Sequence, residues 1–121
     1  GPKVCRKVLD EVGSYNLQVL FDPVNMLDLD NVDHRDEIFQ EAIELLGPDI
    51  AMAHFKDFIR VDEGYGLKSV GAGTGEMDYT AILTYLKKEK PFVYATLENT
   101  TPENAAWCVE QLKNQYDRIE V

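Results

Sequence analysis

Basic residues are scarce in this chain. Lys and Arg number 12 against 22 Asp and Glu, a formal net charge of -10. Phosphate neutralisation needs clustered Lys and Arg, so this composition argues against a nucleic-acid-binding surface. Cysteine is equally sparse. Cys5 and Cys108 lie far apart, each on the apolar side of a predicted helix, and read as buried thiols of a reducing compartment rather than a disulfide. No apolar run approaches the roughly 20 residues that span a bilayer, and the N-terminus lacks a signal-peptide pattern. The expectation is a cytoplasmic protein with no membrane partner. What remains is ordinary for a globular chain: 121 residues, 45% hydrophobic and 28% charged, enough for one domain with a core and too patterned for wholesale disorder.

Hydrophobic periodicity divides the chain into alternating elements. Residues 2 to 12 predict a helix with Val4, Cys5, Val8, Leu9 and Val12 on one face, stopped by Gly13. Leu17 to Phe21 is a nearly all-apolar strand, as in a parallel sheet buried on both faces, and Pro23 ends it. An acidic connection over residues 26 to 32 leads to a helix from Asp33, with Ile38, Phe39, Ala42, Ile43 and Leu46 as its stripe and Gly47-Pro48 as its stop. Ile50 to His54 is a second strand. A loop of about twenty residues with five glycines follows, unusually long for a compact domain, and reads as a flexible lid, a phosphate-binding loop or a plain surface loop. Asp78 caps a helix carrying Tyr79, Ile82, Leu83 and Leu86 inward. Phe92 to Leu97 is the third strand, and Thr100-Thr101-Pro102-Glu103 starts a last helix with Ala105, Cys108, Val109, Leu112 and Tyr116 on its buried face.

A helix followed by three strand-helix pairs argues for parallel strands joined by helical crossovers. In such sheets chemistry collects at the C-terminal ends of the strands, and these three ends carry polar residues. Phe21 runs into Asp22, with Asn25 just beyond; Ala53 into His54, Lys56 and Asp57; Leu97 into Glu98. Two carboxylates and an imidazole make a hard donor set, suited to Mn²⁺, Mg²⁺ or Co²⁺. Each has a plainer role as well: Asp22 before proline as a turn residue, His54 as a buried histidine, Glu98 as a partner of the following helix N-terminus.

The segments Phe21-Asp22-Pro23-Val24-Asn25, His54-Phe55-Lys56-Asp57, Gly73-Thr74-Gly75-Glu76-Met77-Asp78-Tyr79 and Thr96-Leu97-Glu98 resemble, in order, the last three strand ends of the xylose-isomerase-like TIM barrels. That superfamily holds sugar and sugar-phosphate isomerases and epimerases together with apurinic-site endonucleases. The resemblance implies that residues 1 to 121 form a single partial domain, the C-terminal half of a (β/α)8 barrel: three parallel strands alternating with four helices, the first half absent. It implies metal ligation by Asp22, His54 and Glu98, with Mn²⁺ the first expectation and Mg²⁺, Co²⁺ or Zn²⁺ the alternatives. Glu98 would double as a catalytic acid or base. The family's first metal-binding glutamate and the second acid/base group would lie upstream of Gly1. A family histidine is replaced by Asn25, a frequent proline by Ala72, and the extra histidines of the endonucleases are missing, which disfavours that branch.

The expected chemistry is proton transfer beside the carbonyl of a small sugar or sugar phosphate, through an enediolate. Asn25 and Lys56 are the substrate-binding candidates. Asp57 is expected behind them, orienting His54 or pairing with Lys56. Three strands cannot close a barrel, so the open edges call for self-association or the missing N-terminal half-barrel. The isolated chain is expected to be inactive. A non-catalytic half-barrel module is the alternative reading.

Overall fold

The computed structural model describes residues 1–61 and 66–121. Among these residues, four helices and a three-stranded parallel sheet make a mixed α/β unit. Helix α1 (Pro2–Val12) begins with Pro2 in its first turn and ends at Gly13, whose left-handed backbone (φ 62, ψ 24) lets its N–H reach the Leu9 carbonyl. Strand β1 (Val19–Phe21) leads through short 3-10 turns at Pro23–Met26 and Val32–His34 into α2 (Arg35–Leu46). Strand β2 (Ile50–Phe55) follows, then β3 (Asp57–Val61) and β4 (Gly66–Val70), then α3 (Thr80–Glu89), β5 (Tyr94–Leu97) and α4 (Ala105–Arg118). At the start of α3 the Asp78 carboxylate accepts the Thr80 N–H at 2.9 Å, and its hydrogen bonding to Thr80 holds the carboxyl below its ordinary range.

The sheet order is β1-β2-β5, all parallel. Leu20 lies beside Met52 and Met52 beside Tyr94; one step on, His54 lies beside Thr96. The helices touch in chain order, α1 on α2, α2 on α3 and α3 on α4. They cover the sheet face that carries Phe21, Ala53 and Phe55, and the core is built there with Phe39, Leu46, Ile82 and Cys108. The opposite face is bare. Leu20 is 53% and Tyr94 82% exposed, because strand side chains alternate and, among the described residues, no second layer covers this side. The chain exposes 7632 Å², whereas a compact monomer of its mass exposes about 6,600 Å².

The structure corrects three expectations. The long glycine-bearing stretch is not an open loop: β3 and β4 pair antiparallel from Asp57–Val70 to Val61–Gly66. Gly64, counted among the five glycines, lies outside the described residues. The stripes of the outer helices are buried only in part, since Val4, Val8, Val12 and Val109 are exposed while Leu9, Cys108 and Leu112 are buried. The outer strands are also shorter than their apolar runs, starting at Val19 and Tyr94 because the preceding residues find no sheet partner. Among the described residues, no helix is long and apolar enough to cross a membrane.

Candidate metal centre

The first side chain is placed by the end of β1. Asp22 is still extended (φ -122, ψ 95), and its Oδ1 accepts the Asn25 N–H at 3.3 Å, capping the turn that Pro23 opens. This turn folds Asn25 back beside the strand end. His54 stands on the bare face of β2, where alternation puts it one step beyond Met52. Glu98 leaves β5 with its N–H donating to the Phe55 carbonyl at 2.9 Å, so the backbone ladder fixes it against β2. Asn99 then takes a left-handed turn (φ 59) that sends the chain away.

These three strand ends converge. One donor atom from each of Asp22, His54 and Glu98 lies within 4.8 Å of the others. The spacing suits a shared divalent cation after small side-chain adjustments, since oxygen and nitrogen ligands sit about 2.0–2.6 Å from such ions. The His54 Nδ1 lies 2.6 Å from Glu98 Oε1. Asp22 is buried, His54 and Glu98 half-buried. They line a cavity of about 420 Å³ together with Leu20, Asn25 and Met26, large enough for a small polyhydroxylated molecule.

Lys56 enters the same cluster. Its Nζ lies 3.2 Å from Asp22 Oδ2 and 3.6 Å from Glu98 Oε2, and it donates to Asn25 Oδ1 at 2.7 Å. Asn25 and Lys56 therefore stand beside the three donors. Cys5, expected from sequence as a buried thiol, is half-buried and lines the same cavity.

Asp57 does something other than expected. Fully buried, it neither orients His54 nor pairs with Lys56. Its Oδ1 accepts the N–H groups of Phe58 (2.7 Å) and Met77 (2.8 Å), and its Oδ2 those of Gly73 (3.2 Å) and Gly75 (3.0 Å). Consecutive side chains of an extended segment point opposite ways. With Lys56 in the cluster, Asp57 faces the loop behind it. Sequence reading missed this loop anchor, although three glycines within five residues (Gly71, Gly73, Gly75) signal backbone wrapped closely around something. Tyr79 was expected only as packing. Its ring meets Phe55 edge-on at 5.3 Å, and among the described residues its buried hydroxyl has no hydrogen-bond partner. Burial, reinforced by the charges of Asp57 and Asp22, pushes that hydroxyl far above its usual range.

Compared with known proteins, the chain matches no protein-family model, no curated protein and no solved structure.

Proposed function

We propose that Asp22, His54 and Glu98 hold a divalent metal ion, and that the unit is the C-terminal half of a barrel of the xylose-isomerase-like kind, from a sugar or sugar-phosphate isomerase or epimerase. The observation carrying this reading is the convergence of those three donors within 4.8 Å at successive strand ends. Two carboxylates with one imidazole make a hard, mostly oxygen donor set; Mn²⁺ is the first candidate, with Mg²⁺, Co²⁺ or Zn²⁺ as alternatives. When bound, such an ion polarises a substrate carbonyl and acidifies the adjacent C–H.

The chain's own residues supply the rest. Glu98 takes or returns the proton of that carbon, its position held by the Phe55 carbonyl and by His54. Lys56 offsets negative charge developing on the substrate oxygens. The Asn25 side chain, already engaged with Lys56, hydrogen-bonds a substrate hydroxyl. A second proton-transfer group belongs on the side of the cavity that the bare sheet face leaves open, and the unit that covers this face supplies it.

A second reading has its own observation. Lys56 already meets both carboxylates, as it would in a metal-free, non-catalytic module. One experiment separates the two: metal content of the purified protein beside an Asp22→Ala/His54→Ala double variant. Stoichiometric metal in the parent and none in the folded variant is the expected result, and justifies assaying ketoses and ketose phosphates for proton exchange in D₂O. Absence of metal from both, after incubation with each of the four ions, overturns the metal reading.

A further inference from the structure

Lys56 occupies a position that a metal would contest. Its side chain is 10% exposed, and its Nζ faces one oxygen of Asp22 and one of Glu98. Those residues are two of the three in the candidate centre. The Asn25 carbonyl oxygen fixes the ammonium from a third direction at 2.7 Å. Two carboxylates and one ammonium leave a net charge of -1. Adding a divalent ion turns this to +1, and removing the lysine charge from the loaded site brings it to zero. Like charges a few ångströms apart in a sheltered site repel strongly.

We infer that Lys56 is an internal counter-cation of this centre: it holds Asp22 and Glu98 together without metal, opposes metal entry, and gives the loaded site a positive charge that selects an anionic ligand. The inference rests on the metal reading above and adds regulation and ligand class to it. It assigns two effects of opposite sign to one side chain. Removing its charge tightens the divalent cation and weakens an anion bound to the loaded protein. Loss of packing alone would weaken both.

The test uses Lys56→Met and Lys56→Gln in the full chain, with Lys56→Arg as the charge-preserving control. Calorimetry with Mn²⁺ and Zn²⁺ is expected to show affinity raised roughly tenfold or more in the two neutral variants and little changed in Lys56→Arg, the scale set by removing one nearby like charge. Inorganic phosphate is expected to bind the Zn²⁺-loaded parent more tightly than either loaded neutral variant. Equal or weaker metal affinity in folded neutral variants overturns the inference while the metal centre stands. No metal binding by parent or variants, all folded by circular dichroism, overturns the metal reading and the inference together. A measurement on the parent needs no variant: side-chain NMR on lysine-labelled protein is expected to show Lys56 ordered without metal and more mobile with Zn²⁺. A lysine equally ordered in both states overturns the proposal.

Discussion

His54 Nδ1 and Glu98 Oε1 meet at 2.6 Å across neighbouring strand ends, with the Glu98 backbone held to the Phe55 carbonyl at 2.9 Å. The glutamate is thus fixed by main chain and side chain together. Of its two oxygens, one faces the imidazole and the other faces Lys56. Replacing Glu98 by Gln keeps the shape and removes the charge that both a metal and Lys56 need. Divalent-metal affinity is expected to fall roughly 100-fold or more, since losing mere support for a ligand already costs 10–100-fold. Titration calorimetry checks this; an unchanged affinity would show that Glu98 is not a ligand.

Asp57 is expected to matter for stability rather than binding. Asp57→Asn keeps one acceptor oxygen and turns an amide donor toward two of the four N–H groups that the buried carboxylate now accepts, at a cost of about 2–4 kcal/mol. Gly75→Ala is expected to be at least as damaging, because an added Cβ would run into the Phe58 carbonyl and the Asp57 carboxylate. Urea unfolding of both variants reads this directly. A shift under about 0.5 kcal/mol for Asp57→Asn, the scale of ordinary surface substitutions, would remove the anchor role.

Tyr79→Phe is expected to stabilise the fold by up to about 1 kcal/mol, because it deletes a buried hydroxyl without a partner and keeps the edge-on contact with Phe55. The same variant has a signature in alkali. Above about pH 10 the unfolded chain releases the Tyr79 proton while the folded chain, whose hydroxyl is raised by burial, keeps it. Fewer protons on the unfolded state mean that stability falls as pH rises, by about 1.4 kcal/mol per unit for one group. Burial raises the Cys108 thiol as well, adding the same sign from about pH 9. Urea midpoints between pH 8 and 11 are expected to fall less steeply for Tyr79→Phe than for the parent.

The two sheet faces are expected to respond differently to truncation. Tyr94→Ser, at a side chain 82% exposed, is expected to change stability by less than about 0.5 kcal/mol. Phe55→Ala, at 3% exposed, is expected to cost about 3–5 kcal/mol. Comparable losses at the two positions would show that the face carrying Tyr94 is covered.

The parts legible in sequence were those with a local cause. Helix α1 follows from its spacing, Pro2 and Gly13, and the alternating order follows from apolar runs punctuated by Pro23 and Gly47-Pro48. Asp22, His54 and Glu98 stood out because each directly follows or ends an apolar run. The β3–β4 hairpin was not legible. Its strands mix apolar residues with Asp57, Arg60, Lys68 and Ser69, so neither face shows clean alternation, and its anchor is a carboxylate reaching sixteen to twenty residues ahead. Exposure of Val4, Val8 and Val12 was equally hidden, because periodicity tells which residues share a face and nothing about whether a neighbour covers it.

Among the described residues, β1 and β5 each have a strand on one side only, so two rows of backbone donors and acceptors point outward. Such edges template association between copies. The opposing influence is the net charge of -10, which sets an average repulsion between copies. The range of that repulsion shrinks from about 8 Å at 0.15 M salt to about 3 Å at 1 M, while the backbone edges are unaffected. Ionic strength is therefore expected to set how readily copies meet: held apart in dilute buffer, and freer to pair along these edges as added salt shortens the field that separates one copy from the next.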